Sequence, residues 1–209
     1  MRETLKEDVK IYVYGDLSSM SYRCIYSIFG SHHGTSESII MAKNFGEWVA
    51  KQEGMLICRL DSRVERAALK GALLQDGVVA GVYPGGELSE NALLGDTLAG
   101  RILDRKKGVI FSNNRYDVSS FNVMLAMSSH LIVVESSVDC PFFQRIKNSR
   151  NNHLKIFALD WPSREEPFLG NHILIESGIA RPLNLLNWQH DIYIQDPIGR
   201  GSSQLELDI

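Results

Sequence analysis

The chain has 209 residues, 44% of them hydrophobic and 22% charged, with a formal net charge of -3 at pH 7. This length is enough for one sizeable domain that buries its own core. The negative charge argues against a protein that coats nucleic acid through bulk positive charge, and no apolar run approaches the roughly 20 residues of a membrane span. The charged start of the chain lacks the pattern of a secretory signal, so we expect a cytoplasmic protein.

The chain contains three cysteines, Cys24, Cys58 and Cys140, which lie far apart and in or beside apolar runs. An odd number at wide spacing is not a disulfide framework or a metal-ligand pattern. We therefore interpret them as reduced core residues, and we expect neither a bound metal nor a cofactor.

The predicted elements alternate between strands and helices along most of the chain. Residues 1–10 form a polar lead-in, and the first strand follows at about 10–16. Further strands are predicted at 25–29, 55–58, 77–83, 108–112, 131–135 and 155–159, and helices at about 39–49, 64–75, 89–103 with Ser89 as N-cap, 121–128, 142–149 and 170–177. Strands separated by helices of this length are typical of βαβ units and a mostly parallel sheet.

The expected fold class is therefore α/β, a Rossmann-like three-layer sandwich that covers residues 11–183. Beyond this domain, 184–209 is predicted to be a partly mobile extension whose last apolar segment lies at 191–195. Its apolar residues Leu185, Leu186 and Trp188 could cover the edge of the sheet or form a contact surface for another subunit.

The turn after the strand at 25–29 is the first candidate site. It begins with Gly30, Ser31, His32 and His33, and an amphipathic helix follows. A strand–turn–helix unit of this kind places free backbone N–H groups and the positive end of a helix dipole at the carboxyl edge of the sheet, where phosphate binds readily. The two histidines are either anion ligands or proton-transfer groups, or ordinary solvated loop residues.

A second glycine turn is predicted at the same edge of the sheet. Gly85 and Gly86 follow Pro84 after the strand at 77–83. Two glycines either allow the backbone to approach a ligand closely or simply make the turn.

Cationic side chains follow the strand at 55–58 and could join the same edge. Arg59, Arg63 and Arg66 would suit phosphate groups if they converge on the Gly30 turn. In the alternative interpretation they belong to a solvated helix start, where Asp61 and Glu65 partly neutralise them.

The sequence offers no convincing catalytic constellation. Ser31, Ser36 and Ser38 lack a G-x-S-x-G setting, and Glu135 closes a strand where a carboxylate can serve to cap or pair. The dinucleotide fingerprint G-x-G-x-x-G is absent after the 25–29 strand, which disfavours NAD or FAD. We therefore expect a binding protein and not an enzyme.

The order of these segments resembles the Rossmann-like core of the DNA-processing protein A family, also called DprA or Smf. The resemblance covers roughly residues 11 to 183. It is carried by Tyr14-Gly-Asp-Leu-Ser18, Ile28-Phe-Gly-Ser31, Leu69-Lys-Gly-Ala-Leu73, Glu90-Asn91 with Leu94, Ser128 through Glu135, and Leu174-Ile175 with Gly178. It implies a protein without known catalysis that binds single-stranded DNA, hands it to a recombinase and acts as a dimer.

The family's binding pocket lies along a Gly-Ser/Thr-Arg loop and an Arg-Asn-Arg segment, and this chain departs from both. His32 and His33 replace the loop arginines, and Ser120-Phe-Asn122 stands at the Arg-Asn-Arg segment. The family's glycine-containing run corresponds to the segment from Cys58 to Glu65, which lacks those glycines. The chain thus resembles a diverged member.

Three hypotheses follow. The first is binding of single-stranded DNA through its phosphates, with candidate site residues Gly30, Ser31, His32, His33, Arg59, Arg63, Gly85, Gly86 and Asn122. The second is a sensor or binder of a small phosphorylated nucleotide at the same edge of the sheet. The third is a phosphoribohydrolase-like enzyme, because Pro84-Gly85-Gly86 begins like the Pro-Gly-Gly-x-Gly-Thr-x-x-Glu motif, although Leu88 and Ser89 replace its Gly-Thr.

Overall fold

The computed structural model describes residues 11–16, 24–84, 95–104, 108–113, 120–149 and 153–196. Its strands are β1 (Ile11–Gly15), β2 (Ile25–Phe29), β3 (Met55–Arg59), β4 (Val78–Val82), β5 (Gly108–Asn113), β6 (His130–Val133), β7 (Lys155–Asp160) and β8 (Arg181–Asn184). Its helices are α1 (Ser36–Lys51), α2 (Arg63–Leu74), α3 (Thr97–Leu103), α4 (Ser120–Met127), α5 (Phe143–Lys147), α6 (Leu169–Glu176) and α7 (Trp188–Gln195).

The strands form one sheet in the order β1-β5-β4-β3-β2-β6-β7-β8. β1 runs antiparallel to β5, and every other neighbouring pair is parallel. The strand order reverses between β2 and β6, which pair side by side with Tyr26 opposite His130. In parallel sheets a crevice opens at the carboxyl ends of the strands where the strand order reverses, so the β2–α1 loop is the candidate site.

The hydrophobic core lies on both faces of the sheet. One cluster contains buried residues of α1, α2, α3 and α7, and the other contains buried residues of α4, α5 and α6. Strands buried on both faces explain the nearly continuous apolar runs at Met55–Arg59 and Val78–Val82. The predicted α/β Rossmann-like three-layer fold is confirmed.

Helices α1 and α2 cross in very close contact because each carries a glycine at the crossing. A Cβ on Gly46 would lie 1.9 Å from the carbonyl oxygen of Ala68, and one on Gly71 would lie 2.1 Å from that of Lys43. Only a residue without a side chain fits at either position. The two glycines thereby set the separation of the helices that flank the candidate site.

Two elements differ from the sequence prediction. Strand β8 was not predicted, because its segment is short and contains Pro182, a residue confined to edge strands. The first part of the helix predicted at 89–103, with its N-cap Ser89, lies outside the described residues. Within them α3 begins only at Thr97, because the Asp96 side chain accepts hydrogen bonds from the backbone N–H groups of Leu98 and Ala99 and caps the helix there. The apolar segment at 191–195 belongs to helix α7.

Helix α7 packs on the same domain as the rest of the chain. The Trp188 ring lies 4.1 Å from that of Phe45, centroid to centroid, and Ile192 is buried. Strand β8 also crosses the expected domain boundary at residue 184. The predicted lead-in at 1–10 and the predicted mobile tail after residue 196 lie outside the described residues.

The described residues were compared with the patterns of a membrane span, a metal site and a disulfide. There, no helix is long and apolar enough to cross a membrane, and no three His, Cys, Asp or Glu side chains cluster as metal ligands would. The cysteines are free thiols, with Cys58 buried and Cys24 and Cys140 half-buried.

Candidate functional site

The β2–α1 loop is anchored across the switch point by a buried carboxylate. Glu135, just after β6, accepts hydrogen bonds from the backbone N–H of Thr35 at 2.8 Å and from its hydroxyl at 2.9 Å. The hydroxyl oxygen of Thr35 in turn accepts from the backbone N–H of Ser38 and caps α1. The chain's own carboxylate therefore occupies the start of α1, where an external anion would otherwise be favoured.

The loop backbone is also held from its other side, by the start of α2. The Ser62 hydroxyl lies 3.3 Å from the carbonyl oxygen of Gly30 and 3.2 Å from that of Ser31. The backbone N–H of Arg63 donates to the carbonyl oxygen of His32 at 2.9 Å. These contacts hold the loop against the start of α2, and we call residues 30–35, together with Arg63, the β2–α1 platform.

Glycines allow the loop to lie directly on Val64 of α2. A Cβ on Gly30 would come within 2.3 Å of a Val64 methyl group. Gly34 has a φ of +65° and is equally close to Val64, so both its backbone conformation and its surroundings require glycine. The Gly30 turn is thus explained by packing.

The histidines are the part of the loop that faces solvent. The side chains of His32 and His33 are exposed, and their rings meet edge to face with centroids 5.0 Å apart. Exposed Arg63 adjoins them through its backbone hydrogen bond to His32. The structure therefore places Ser31, His32 and His33 beside the backbone of Arg63 at the start of α2.

Arg59 does not join this exposed group. It is only 3% exposed, and its guanidinium forms a two-pronged contact with Glu65, with Nη2 2.5 Å and Nε 2.9 Å from Oε1. The ring of Phe142 lies 4.4 Å from the guanidinium carbon. The charge of Arg59 is thus neutralised inside the protein, which removes it from the predicted solvent-facing rim.

Glu65 is fully buried. Its carboxylate accepts hydrogen bonds from three groups of Arg59, namely Nε, Nη2 and the backbone N–H, which donates to Oε2 at 2.7 Å. Burial raises the pKa of Glu65, while the charge and the hydrogen bonds of Arg59 oppose that rise and favour the ionised carboxylate. The pKa of Arg59 is raised as well, because the attraction to Glu65 outweighs the cost of burying the guanidinium. The sequence predicted Arg59 either on a phosphate-binding rim or at a solvated helix start, and both predictions place it in solvent. The structure instead buries both residues, with the ring of Phe142 against the guanidinium.

The remaining predicted site residues are dispersed. Arg66 turns away to form a two-pronged pair with Asp96, at 2.6 and 2.8 Å. Asn122 is exposed on α4, where its side-chain oxygen accepts a hydrogen bond from Arg145 at 3.1 Å. Gly85 and Gly86 lie outside the described residues, and so does the phosphoribohydrolase-like motif that they begin.

The sequence prediction missed Thr35, which joins the loop to both α1 and β6. A threonine three residues before Ser38 and just ahead of an apolar helical pattern is an N-cap signal, so its local role could have been found. Its bond to Glu135 crosses 100 positions of the chain and has no local signal. The sequence analysis predicted that Glu135 caps or pairs with another group, and its contact with Thr35 is such a pairing.

No protein-family model matches the chain, and no curated protein sequence matches it either. Solved structures do match. DNA processing protein A of Helicobacter pylori, described for its single-stranded DNA binding mode, superposes with a TM-score of 0.71 at 18% identity, over 92% of this chain and 90% of that one. DprA of Streptococcus pneumoniae gives a TM-score of 0.71 at 16% identity over 88% of this chain, which spans 65% of that protein's length.

The molybdenum cofactor carrier protein of Chlamydomonas reinhardtii is a more distant match. Its TM-score is 0.59 at 14% identity, over 83% of this chain and 98% of that one. The chain thus has the Rossmann-like fold shared by these binding proteins. Within that class its fold is similar to that of DprA, and the resemblance first drawn from the sequence is confirmed at the level of the fold.

Proposed function

We propose that this chain binds single-stranded DNA at the carboxyl edge of its sheet and acts in DNA processing or recombination. The observation that carries the proposal is the β2–α1 platform, which presents His32, His33 and Arg63 to solvent beside the switch point. The similarity in fold to DprA of Helicobacter pylori supports the choice of ligand.

Phosphate recognition by this site would depend on exposed side chains rather than on the start of α1. Glu135 already accepts the Thr35 N–H at that helix end, and Arg59 is neutralised by Glu65. The remaining groups are three side chains that can donate hydrogen bonds to phosphate oxygens. Binding of this kind is independent of base sequence and weakens steeply with salt.

Fluorescence anisotropy with a labelled single-stranded oligonucleotide tests the proposal, with duplex and mononucleotide competitors at about 50 and about 200 mM salt. We expect salt-sensitive binding for which duplex and mononucleotide compete poorly. The double variant His32→Ala/His33→Ala should weaken it, whereas His190→Ala, which removes an exposed imidazole from α7, should not. The variant His32→Arg/His33→Arg should strengthen it, since arginine contacts phosphate through a planar fork of donors. Absence of binding at low salt would refute the proposal.

The second candidate function is binding of a small phosphorylated nucleotide at the same edge. The similarity in fold to the molybdenum cofactor carrier protein favours it, as does the small number of exposed cationic groups on the platform. A mononucleotide that displaces the oligonucleotide, or a ligand found by mass spectrometry in the supernatant of the denatured protein, would support this candidate over the first.

The resemblance to DprA also leads us to propose a recombinase partner and a homodimer. Trp188 is buried inside the domain, but Leu186 just before α7 and Tyr193 and Ile194 within it are 90%, 65% and 61% exposed. Exposed apolar side chains of this size suit a subunit contact. Light scattering should show a dimer that Leu186→Asp/Ile194→Asp converts to a monomer.

A further inference from the structure

A shallow groove of about 440 Å³ runs along the outer surface of α1 and α2. Five cationic side chains line it, namely Lys43, Arg63, Arg66, Lys70 and Arg101. They come from three helices, α1, α2 and α3. A concentration of positive charge on one face of a protein with a net charge of -3 is a local feature that the overall composition conceals.

Two of the five cations are engaged by carboxylates. Lys43 lies 3.5 Å from Glu47, and Arg66 pairs with Asp96. Arg63, Lys70 and Arg101 are exposed and form no ion pair with any residue in the described ranges. The groove therefore has an excess of positive charge, which favours an anionic occupant.

Apolar side chains lie between these charges. Ile40 on α1 and Leu74 at the end of α2 are each 59% exposed, which is unusual for residues of their size. They present apolar surface to the groove. An occupant that combines phosphate charge with the apolar faces of bases complements both kinds of surface.

The groove is continuous with the platform described above, because Arg63 belongs to both. Its backbone N–H holds the carbonyl oxygen of His32, and its side chain lines the start of the groove. Lys70 lies seven residues further along α2, which corresponds to about 10 Å along the helix axis. A strand that contacts the platform would therefore meet a second group of cations without leaving the surface.

We infer that single-stranded DNA extends from the β2–α1 platform into the α1–α2 groove, with its phosphates on Arg63, Lys70 and Arg101 and its bases against Ile40 and Leu74. This inference rests on the proposed function and extends it to a second site. An acidic amphipathic peptide would match the same charges. The shared Arg63, which makes the groove a continuation of the platform, favours the DNA strand.

The test compares Lys70→Ala/Arg101→Ala with the control Lys51→Ala/Lys147→Ala, which removes two exposed lysines from other surfaces. Each protein is titrated with oligonucleotides of about 5 and about 20 nucleotides, chosen to cover the platform alone or the platform and the groove. We expect the groove variant to bind the long oligonucleotide about 10-fold more weakly, because two phosphate contacts are lost. Its salt slope should fall by about 1.4 in magnitude. Binding of the short oligonucleotide should not change, and the control should match the unsubstituted protein with both.

A second measurement identifies the occupant directly. Benzophenone introduced as Leu74→p-benzoylphenylalanine should crosslink to the long oligonucleotide on illumination. If the long oligonucleotide binds the groove variant normally while His32→Ala/His33→Ala weakens its binding, the groove is excluded and the platform stands. Crosslinking to a second copy of the protein or to an acidic peptide, and not to DNA, would likewise overturn the inference. If the unsubstituted protein binds neither oligonucleotide, the proposed function fails and the groove inference fails with it.

Discussion

Thr35 and Glu135, which lie 100 positions apart in the chain, are joined by two hydrogen bonds of 2.8 and 2.9 Å to a single carboxylate oxygen. The contact ties the first turn of α1 to the end of β6 across the point where the strand order reverses. It stabilises the loop that carries His32 and His33, and it places a negative charge beneath that loop.

The substitution Glu135→Gln should therefore have two opposite effects. Hydrogen bonds to a charged acceptor contribute more than neutral ones, so the free energy of unfolding should fall by about 1 to 2 kcal/mol. Under the proposed function, loss of the buried negative charge should strengthen oligonucleotide binding. Urea unfolding and anisotropy measure the two effects. The control Glu37→Gln, an exposed acid in the same first turn, should change stability by less than about 1 kcal/mol, and a similar loss in both variants would contradict the role assigned to Glu135.

The buried pair Arg59 and Glu65 predicts a strongly non-additive response. Glu65→Gln leaves the Arg59 charge inside the core without a counter-charge, which should lower the free energy of unfolding by about 3 to 5 kcal/mol. The double variant Arg59→Met/Glu65→Leu should recover most of that loss, because no unpaired charge remains. Urea unfolding of the single and double variants measures this coupling.

A matched comparison uses the exposed pair of Arg164 and Glu176, whose side chains are 68% and 61% exposed. Breaking it with Glu176→Gln should cost less than about 1 kcal/mol, since water screens the charges. If the double variant of the buried pair were as unstable as Glu65→Gln, the unpaired charge could not be the cause.

The crossing of α1 and α2 predicts a contrast between two glycine substitutions. Gly46→Ala would put a Cβ 1.9 Å from the backbone oxygen of Ala68, so the helices must separate. Overpacking of this kind should cost about 1 to 3 kcal/mol. A Cβ on Gly100 in α3 would meet no atom of the described residues within 4 Å outside its own helix backbone. Gly100→Ala should therefore stabilise the protein by about 0.5 to 1 kcal/mol, since alanine favours the helix. Thermal unfolding distinguishes the two, and equal effects would show that the close crossing is not what requires glycine at position 46.

Asp96 predicts a stability contribution that depends on pH. The hydrogen bonds from Arg66 hold the pKa of Asp96 at about 2, against a weaker opposing effect of burial. A carboxyl whose pKa is lower in the folded state stabilises the protein above its unfolded value of about 3.9, and this contribution is lost as the pH falls towards 2. Asp96→Asn, which keeps a side-chain cap for α3 but no charge, should therefore be less stable than the unsubstituted protein at about pH 5.

The difference in the free energy of unfolding between the unsubstituted protein and Asp96→Asn should narrow at about pH 3. Urea unfolding at about pH 5 and about pH 3 measures it. Asp96→Ala removes the cap as well as the charge, so it should lose about 1 kcal/mol more than Asp96→Asn at either pH. A gap between the unsubstituted protein and Asp96→Asn that stayed constant with pH would mean that the charge of Asp96 does not stabilise the fold.

The sequence alone determined the architecture. Apolar runs that alternate with amphipathic helices predicted a parallel sheet in an α/β fold. The spacing of apolar residues within each element indicates which of its sides is buried, and this spacing can be found from a short stretch of sequence. The Gly30 turn, the position of the following helix and the exposed histidines are also local features. The resemblance to DprA followed from the same segments in the same order.

The tertiary structure decided which charges face solvent. Arg59, Arg63 and Arg66 look alike in the sequence, yet one is buried on Glu65, one is exposed beside His32, and one is paired with Asp96. The partner of Thr35 lies 100 positions away, and the cations of the α1–α2 groove come from three separate helices. Local patterns give the period of burial, but whether a charged side chain is buried, paired or exposed depends on how the helices and strands pack, and this packing exists only once the sheet has formed.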